Sequence, residues 1–155
     1  MKLSTRGRYA LRAMIDLAQN QYNNLKPISL RDISLRQEIS LQYLEQLFNK
    51  LRKANLVKST RGSGGGYLLI KEAEKINAGD VIRAVEGPIV LVDCILISGK
   101  IKKNMQKKCN KIEDCATRVL LEEITQKINQ TLDTTSLKNL CKIAQKIKKG
   151  QKDEK

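Results

Sequence analysis

Residues 40–70 place an amphipathic helix directly before a glycine-rich hairpin. In the helical part, apolar residues recur at the three- and four-residue spacing of one buried helix face, namely Leu44, Leu47, Phe48 and Leu51. Two short runs, 57–60 and 67–70, then read as strands. Residues 61–66 between them are rich in glycine and can turn tightly. Helix followed by hairpin predicts the winged form of a helix-turn-helix.

The opposite side of this helix carries hydrogen-bonding side chains: Gln42, Tyr43, Glu45, Gln46 and Asn49. Such groups can meet the edges of bases in a major groove. The glycines of the hairpin could also suggest a nucleotide-binding loop. However, residues 61–66 are followed neither by G-K-[ST] nor by a helix, so we reject a P-loop. The pattern therefore predicts a DNA-binding surface.

The charge of the chain agrees with this prediction. Lys and Arg number 30 against 16 Asp and Glu, a formal net charge of +14, which favours a polyanionic partner such as nucleic acid. Charge alone is equally compatible with a basic but merely solvated surface, and the lysine-rich segment 98–111 reads best as such a loop. A non-specific architectural DNA protein would explain the charge but not the polar helix face.

No apolar run approaches the roughly 20 residues that span a bilayer, and the N-terminus lacks the apolar core of a signal peptide. We therefore expect a cytoplasmic protein without a membrane partner, and reduced cysteines. The chain has no histidine, the commonest general base. A thiol or cluster-transfer enzyme would need an activating base, so we do not expect an enzyme.

The remaining pattern is mainly helical. Helices are predicted from Ser4 or Thr5 to about residue 20, over 30–37 after a Ser29 cap with Ile33 and Leu35 inward, and from an Asn77 cap to Gly87. A long helix over 116–130 and a last helix after Thr134 or Thr135 complete the chain. We divide it into a DNA-binding domain (1–90), a cysteine-bearing sensor loop (91–115), dimerisation and C-terminal helices (116–147) and a polar tail (148–155).

The long helix keeps an apolar stripe outside the predicted DNA-binding domain: Val119, Leu120, Ile124, Ile128 and Leu132. Such a stripe needs a covering surface. A second protomer is one candidate, because DNA readers of this kind pair to match two half-sites. Packing back on its own domain is the alternative.

Cys94, Cys109 and Cys115 lie between these two parts. Thiolates are soft ligands suited to zinc, copper(I) or iron–sulfur clusters. No C-x2-C pair is present, so free thiols are the alternative. Cys141, on the last helix, reads as a small buried apolar residue.

Several segments together resemble the Rrf family of winged-helix transcription regulators, and within it the iron–sulfur cluster regulator (IscR-like) branch. The segments are L-S-T-R-G-R-Y-A at 3–10, I-S-L-Q-Y-L-E-Q-L-F at 39–48, G-G-G-Y-L-L at 64–69 and G-D-V-I at 79–82. The likeness is dense over the first 90 residues. Beyond Asp93 it rests on the cysteines, the dimer helix and residues 135–137.

The resemblance implies a homodimer that reads a palindromic or semi-palindromic double-stranded DNA operator. It places in the major groove Ser40, Gln42, Tyr43, Glu45 and Gln46. Arg61 of the wing would enter the minor groove, where a narrow groove attracts arginine. The backbone of Gly62 and Gly64 would approach phosphates.

In IscR-like relatives, cysteines at the positions of Cys94, Cys109 and Cys115 hold a [2Fe–2S] cluster, with a histidine three residues after the last. This chain has Arg118 there, which stays protonated and cannot ligate. The fourth ligand is left open between Glu113 or Asp114, a residue of the partner protomer, and an exogenous thiol or water. The alternative function is a regulator of the same fold without a cluster, controlled by thiol oxidation or a partner protein, as in the CymR-like branch.

Overall fold

The computed structural model describes residues 3–21, 26–95, 109, 111 and 114–153, without the side chains of 151–153. The helices described are α1 (Thr5–Gln21), α2 (Leu30–Gln37), α3 (Leu41–Lys53), α4 (Ala78–Glu86), α5 (Ala116–Thr134) and α6 (Leu137–Asp153). Strands β1 (Val57–Thr60) and β2 (Gly66–Leu69) form an antiparallel hairpin, and a 3-10 turn covers Ala73–Lys75. The predicted mainly helical fold with one small hairpin is confirmed.

Local capping sets where three helices begin. The Ser29 hydroxyl accepts from the Asp32 N–H at 3.1 Å, and the Ser40 hydroxyl accepts from the Tyr43 N–H at 3.3 Å. Asn77 and Asp80 form a reciprocal capping box. Each bond satisfies a backbone donor that the first turn leaves free, so α2, α3 and α4 start where the sequence predicts.

The start of α6 differs from the prediction. Its first turn is capped by Ser136, whose hydroxyl accepts from the Asn139 N–H at 3.2 Å. The hydroxyl of Thr135 instead donates back to the Thr131 carbonyl of α5 at 2.7 Å, and Thr134 bonds its own helix in the same way. The two threonines therefore close α5, which runs four residues past its predicted end. Helix α6 continues to Asp153, through residues assigned from sequence to a polar tail.

One aliphatic core lies between α1, α3 and α4. The predicted inner face of α3 is buried, with Leu44, Leu47, Phe48 and Leu51 at most 2% exposed. Burial of each such side chain contributes roughly 1.5–3 kcal/mol of transfer free energy. Helix α1 passes close to α4 at Gly7, where a Cβ would clash with the Glu86 carboxylate.

The inward placement of Leu35 was wrong. Ile33 is fully buried, but Leu35 is 73% exposed. At 3.6 residues per turn, positions two apart lie on nearly opposite sides of a helix. Helix α2 has only two turns, and its one inner face is taken by Leu30 and Ile33.

The hairpin is held to the helices at several points. Ile28, just before α2, exchanges two backbone hydrogen bonds with Tyr67 of β2, at 2.9 and 2.8 Å. Gln21, at the end of α1, accepts from the Leu69 N–H at 2.8 Å. The Tyr67 ring meets Phe48 of α3 edge-on, with centroids 4.8 Å apart. These contacts hold the hairpin against α3. Strand β2 begins one residue earlier than predicted.

The C-terminal helices return to the same core. The Ala78 N–H donates to Thr135 and the Leu137 N–H donates to Ile76, at 2.9 and 2.8 Å, which fixes the corner between α5 and α6. Leu137 is completely buried against the core. The compact unit therefore includes the start of α6 as well as residues before 90. None of the helices in the described ranges is long and apolar enough for a membrane span.

Candidate nucleic-acid interface

The outer face of α3 is polar and open. Gln42, Glu45, Gln46 and Asn49 are exposed, opposite the four buried apolar residues. Near its C-terminal end, Lys50 donates through Nζ to the Val85 carbonyl of α4 at 3.0 Å. The helix is thus fastened on its inner side while its outer side presents amide and carboxylate groups. This is the arrangement that reading base edges requires.

Ser40 and Tyr43 have structural partners of their own. The Ser40 residue is exposed, but its hydroxyl oxygen accepts the Tyr43 N–H as the helix cap. A serine hydroxyl has a second lone pair and a proton to offer to DNA. The Tyr43 side chain is half-buried, with its ring 5.7 Å from that of Tyr9 at an interplanar angle of 83°. No sequence pattern predicts this contact between the two rings.

The tip of the wing is unobstructed. Arg61 is exposed, and nothing lies within 4 Å of a Cβ built at Gly62 or Gly64. Gly62 has φ +111°, which only glycine adopts readily, and its carbonyl accepts from the Gly65 N–H at 3.0 Å to close the turn. The predicted wing residues therefore lie together on an open turn whose backbone a phosphate can approach.

A buried carboxylate supports this surface and was missed in the sequence. Asp16 of α1 is 3% exposed and accepts from Arg36 Nε at 3.0 Å and Nη2 at 2.6 Å. Gln37 Nε2 donates to the same carboxylate at 2.9 Å. The hydrogen bond to Asp16 raises the pKa of Arg36, opposed by partial burial. The only sequence signal is an acidic residue beside the apolar stripe of α1.

The three predicted metal ligands are free thiols that differ in exposure. Cys94 and Cys115 are half-buried and Cys109 is exposed. In the part of the chain that the structure describes, no three Cys, Asp or Glu residues lie close enough together to hold a metal ion. Glu113 and most of the lysine-rich segment lie outside the described residues, and Asp114 is exposed. The ligand set stays a prediction.

Arg118 occupies the position at which the family resemblance implies a histidine as the fourth cluster ligand. Its Nη1 lies 3.6 Å from Glu122 Oε2, and its Nε is buried without a hydrogen-bond partner. A guanidinium has only donors and cannot bind iron. The donor set thus fits a cluster in part: three soft thiols are present, and Arg118 supplies no fourth ligand.

Helix α5 leaves apolar surface uncovered. Val119 is 61% and Leu120 57% exposed, while Ile124, Ile128 and Leu132 are half-buried. The C-terminal half of α5 is tied to α4, where Arg83 pairs with Asp133 and donates to Asn129 Oδ1 at 3.1 Å. The apolar residues nearest the cysteines are therefore the most exposed ones.

An exposed polar helix followed by an open wing is typical of the winged-helix class of transcription regulators. The sequence matches the family described as Rrf2, iron-dependent transcriptional regulator, over residues 3–143. The chain belongs to the Rrf2 family, whose members are regulators of transcription and not enzymes.

Both branches considered from the sequence are represented among similar proteins. The HTH-type transcriptional regulator IscR of Erwinia tasmaniensis is 44% identical over 140 residues, which cover 90% of this chain and 78% of that protein. The T. potens IscR structure is 38% identical with a TM-score of 0.71, covering 93% of this chain and 88% of its own. The structure of CymR, the global cysteine regulator of B. subtilis, is 39% identical with a TM-score of 0.71, covering 92% and 98%. The expected resemblance is confirmed.

Proposed function

We propose that this protein is a homodimeric, sequence-specific regulator of transcription that senses iron–sulfur or redox status through a [2Fe–2S] cluster held by its cysteines. The main support for sequence-specific DNA binding is the exposed polar face of α3. The opposite face of this helix is apolar and buried, and Lys50 anchors the helix by a hydrogen bond to the Val85 carbonyl. Since a DNA-binding regulator acts where the chromosome lies, we place it in the cytoplasm.

Each DNA-reading residue has a physical role. Gln42 and Gln46 can pair bidentately with adenine, and Glu45 can accept from the amino group of cytosine. Ser40 and Tyr43 offer hydroxyls beside them. Arg61 would enter the minor groove, and the backbone at Gly62 and Gly64 would approach phosphates.

We propose that α5 pairs with α5 of a second protomer. The support is the exposure of Val119 and Leu120, which only another apolar surface would remove from water. Pairing would also set the separation of the two α3 helices, and hence which half-site spacing fits. Sedimentation of the wild-type protein and of Leu120→Lys tests this: we expect a dimer and a monomer, and a monomeric wild type would contradict the proposal.

We propose Cys94, Cys109 and Cys115 as cluster ligands, with the fourth ligand supplied by Asp114 or Glu113, by a partner protomer, or by an exogenous thiol or water. A [2Fe–2S] cluster supplies a one-electron redox change and a group that is lost when iron or sulfide is scarce. The chain's own contribution is three thiols, of which Cys115 lies directly before the start of α5. Binding at Cys115 would act directly on the N-terminal end of the proposed dimer helix.

The alternative is a cluster-free regulator controlled by thiol oxidation or a partner protein. Two observations favour it: an arginine stands at the position of the expected histidine, and the chain is similar to CymR. An accessible thiol such as Cys109 could be oxidised directly.

The deciding measurement is the anaerobic visible absorption spectrum of freshly purified protein, with its iron and acid-labile sulfide content. Charge-transfer bands with comparable iron and sulfide would support the cluster. A colourless, iron-free protein, also after attempted reconstitution, would favour thiol or partner control. In parallel, selection of duplexes from a random DNA pool tests sequence-specific binding, and a pool without enrichment would contradict it.

A further inference from the structure

A stack of three side chains joins α1 to α2 and to α3. The rings of Tyr9 and Tyr43 meet edge to face, with centroids 5.7 Å apart and an interplanar angle of 83°. The guanidinium carbon of Arg12 lies 5.5 Å from the centroid of the same Tyr9 ring. One tyrosine of α1 therefore contacts a cation of its own helix and a tyrosine of α3.

Arg12 also reaches the end of α2. Its Nη2 donates to the Gln37 carbonyl, and its Nε donates to Gln37 Oε1 at 3.4 Å. Gln37 is the last residue of α2, where helix carbonyls are unpaired and the dipole favours a cation. The stack thus runs from the C-terminus of α2, through Arg12 and Tyr9, to Tyr43 on α3.

These contacts restrict the Tyr43 ring, which also packs against the core. Edge-to-face packing fixes the angle between two rings, and a cation near the Tyr9 ring adds an attraction to that ring. Gln42, Glu45 and Gln46, by contrast, are exposed. A side chain already held in one orientation loses less entropy when it binds a ligand.

We propose that Tyr9 is a positioning residue for operator recognition, which holds the Tyr43 ring in one orientation before DNA arrives and is itself held by Arg12. This inference rests on the proposed function, in which Tyr43 faces the major groove. Tyr9 is only half-buried and lies at the rim of the core, whose centre is filled by residues such as Met14 and Phe48. Its replacement is therefore expected to affect recognition more than folding.

The test compares Tyr9→Leu with Tyr9→Phe, using an operator duplex selected from random DNA by the unaltered protein and a scrambled duplex of equal length. We expect Tyr9→Leu to raise the operator Kd about tenfold and to leave the scrambled-duplex Kd within about twofold. Tyr9→Phe keeps the ring and is expected to match the unaltered protein on both duplexes. Thermal unfolding of each variant verifies its folding.

Three outcomes with the Tyr9 single variants would overturn the inference. They are an unchanged operator Kd in folded Tyr9→Leu, an equal rise in Kd on both duplexes, or a loss of affinity in Tyr9→Phe, which would show that the hydroxyl itself binds DNA. The double variant with Tyr43→Leu should bind no more weakly than the weaker single variant. Additive losses would also overturn the inference.

If Tyr9→Leu does not fold, Arg12→Gln serves instead, since it removes the cation from the exposed side of the stack. We expect a smaller rise in operator Kd, about threefold. Affinity for the scrambled duplex should fall by no more than the loss of one positive charge explains. An unchanged operator Kd would overturn the inference. Failure of the unaltered protein to select any sequence would refute the proposed function before any variant is made, and this inference with it.

Discussion

The carboxylate of Asp16 on α1 accepts hydrogen bonds from two nitrogens of the Arg36 guanidinium, near the end of α2, at 3.0 and 2.6 Å. Asp16 is almost completely buried, whereas the Arg36 side chain is 39% exposed. Gln37 and Asn20 add further donors to the same carboxylate, at 2.9 and 3.3 Å. The pair joins α1 to α2, the helix that precedes α3.

Replacing Asp16 with alanine should lower the free energy of unfolding by about 2 kcal/mol, because charge-assisted hydrogen bonds are lost. The cost should stay below that of a fully buried pair, since Arg36 can be hydrated. Urea denaturation at neutral pH measures it. Glu123→Ala, which removes an exposed carboxylate paired with Lys127, is the control and should leave the stability almost unchanged. Equal effects of both substitutions would contradict a special role for Asp16.

Gly66→Ala should destabilise the protein by about 1–3 kcal/mol, because the new Cβ would overlap the Ile28 carbonyl where the wing meets the segment before α2. Gly64→Ala, two residues away, is the matched control, since nothing lies within 4 Å of its Cβ. Thermal unfolding of the two variants gives the comparison. Similar melting temperatures would mean that the backbone bridge between Ile28 and Tyr67 does not constrain the wing.

Arg61→Ala should weaken operator binding by about 1–3 kcal/mol while leaving the oligomeric state unchanged, because Arg61 is exposed at the wing tip. Arg61→Lys keeps the charge but not the planar fork, and should recover only part of the affinity. Fluorescence anisotropy with labelled operator measures both. Wild-type affinity in the alanine variant would rule out docking of the wing in the minor groove.

Cys109→Ser should abolish the visible absorption of any anaerobically reconstituted cluster. Cys141→Ser is the control, since its Sγ donates to the Ile15 carbonyl at 3.7 Å and it packs against the core. Full absorption in the Cys109 variant would exclude that thiol as a ligand. Loss of absorption in the Cys141 variant alone would point to a different ligand set.

Thiol labelling should separate the cysteines by rate. Burial raises the pKa of the Cys141 thiol, so a smaller fraction of it is thiolate at a given pH. The Cys141 side chain is also half-buried. At pH 8 iodoacetamide should therefore modify exposed Cys109 well before Cys141, and the Cys141 rate should keep rising as the pH increases towards the raised pKa. Mass spectrometry of timed digests reads both. Faster labelling of Cys141 would contradict its packing.

Acid should remove one surface contribution to stability. The hydrogen bond from Lys138 is the main cause that lowers the pKa of Glu74. A lowered carboxyl pKa stabilises the fold above the ordinary glutamate value, and this stabilisation is lost as the pH falls through the lowered pKa. Glu74→Gln should therefore reduce the difference between the free energies of unfolding at neutral and at acid pH, as measured by urea denaturation. The reduction should be small because the pair is exposed.

Features set by near neighbours in the chain could be predicted from the sequence by itself. Spacing within a few residues predicts the helix caps at Ser29, Ser40 and Asn77, because capping hydrogen bonds are local. It also predicts the buried face of α3 and the hairpin, because the face of a helix or strand depends on local periodicity. The family resemblance rests on the same continuous segments. The predicted bounds of β2 differ from the structure by one residue, and the predicted end of α5 by a few residues. The ends of helices and strands are the least sharply defined part of an element.

Tertiary structure decided what distant residues do to one another. Asp16 pairs with Arg36, Tyr9 meets Tyr43, and Leu137 packs into the core, although the partners are far apart in the sequence. No periodicity encodes such partners. Leu35 was assigned inward because it is apolar, yet only the packing of α2 shows which of its sides has a neighbour. Spacing along the chain fixes a residue's side of its own helix. The angles between helices, set by packing of the whole core, determine what that side meets.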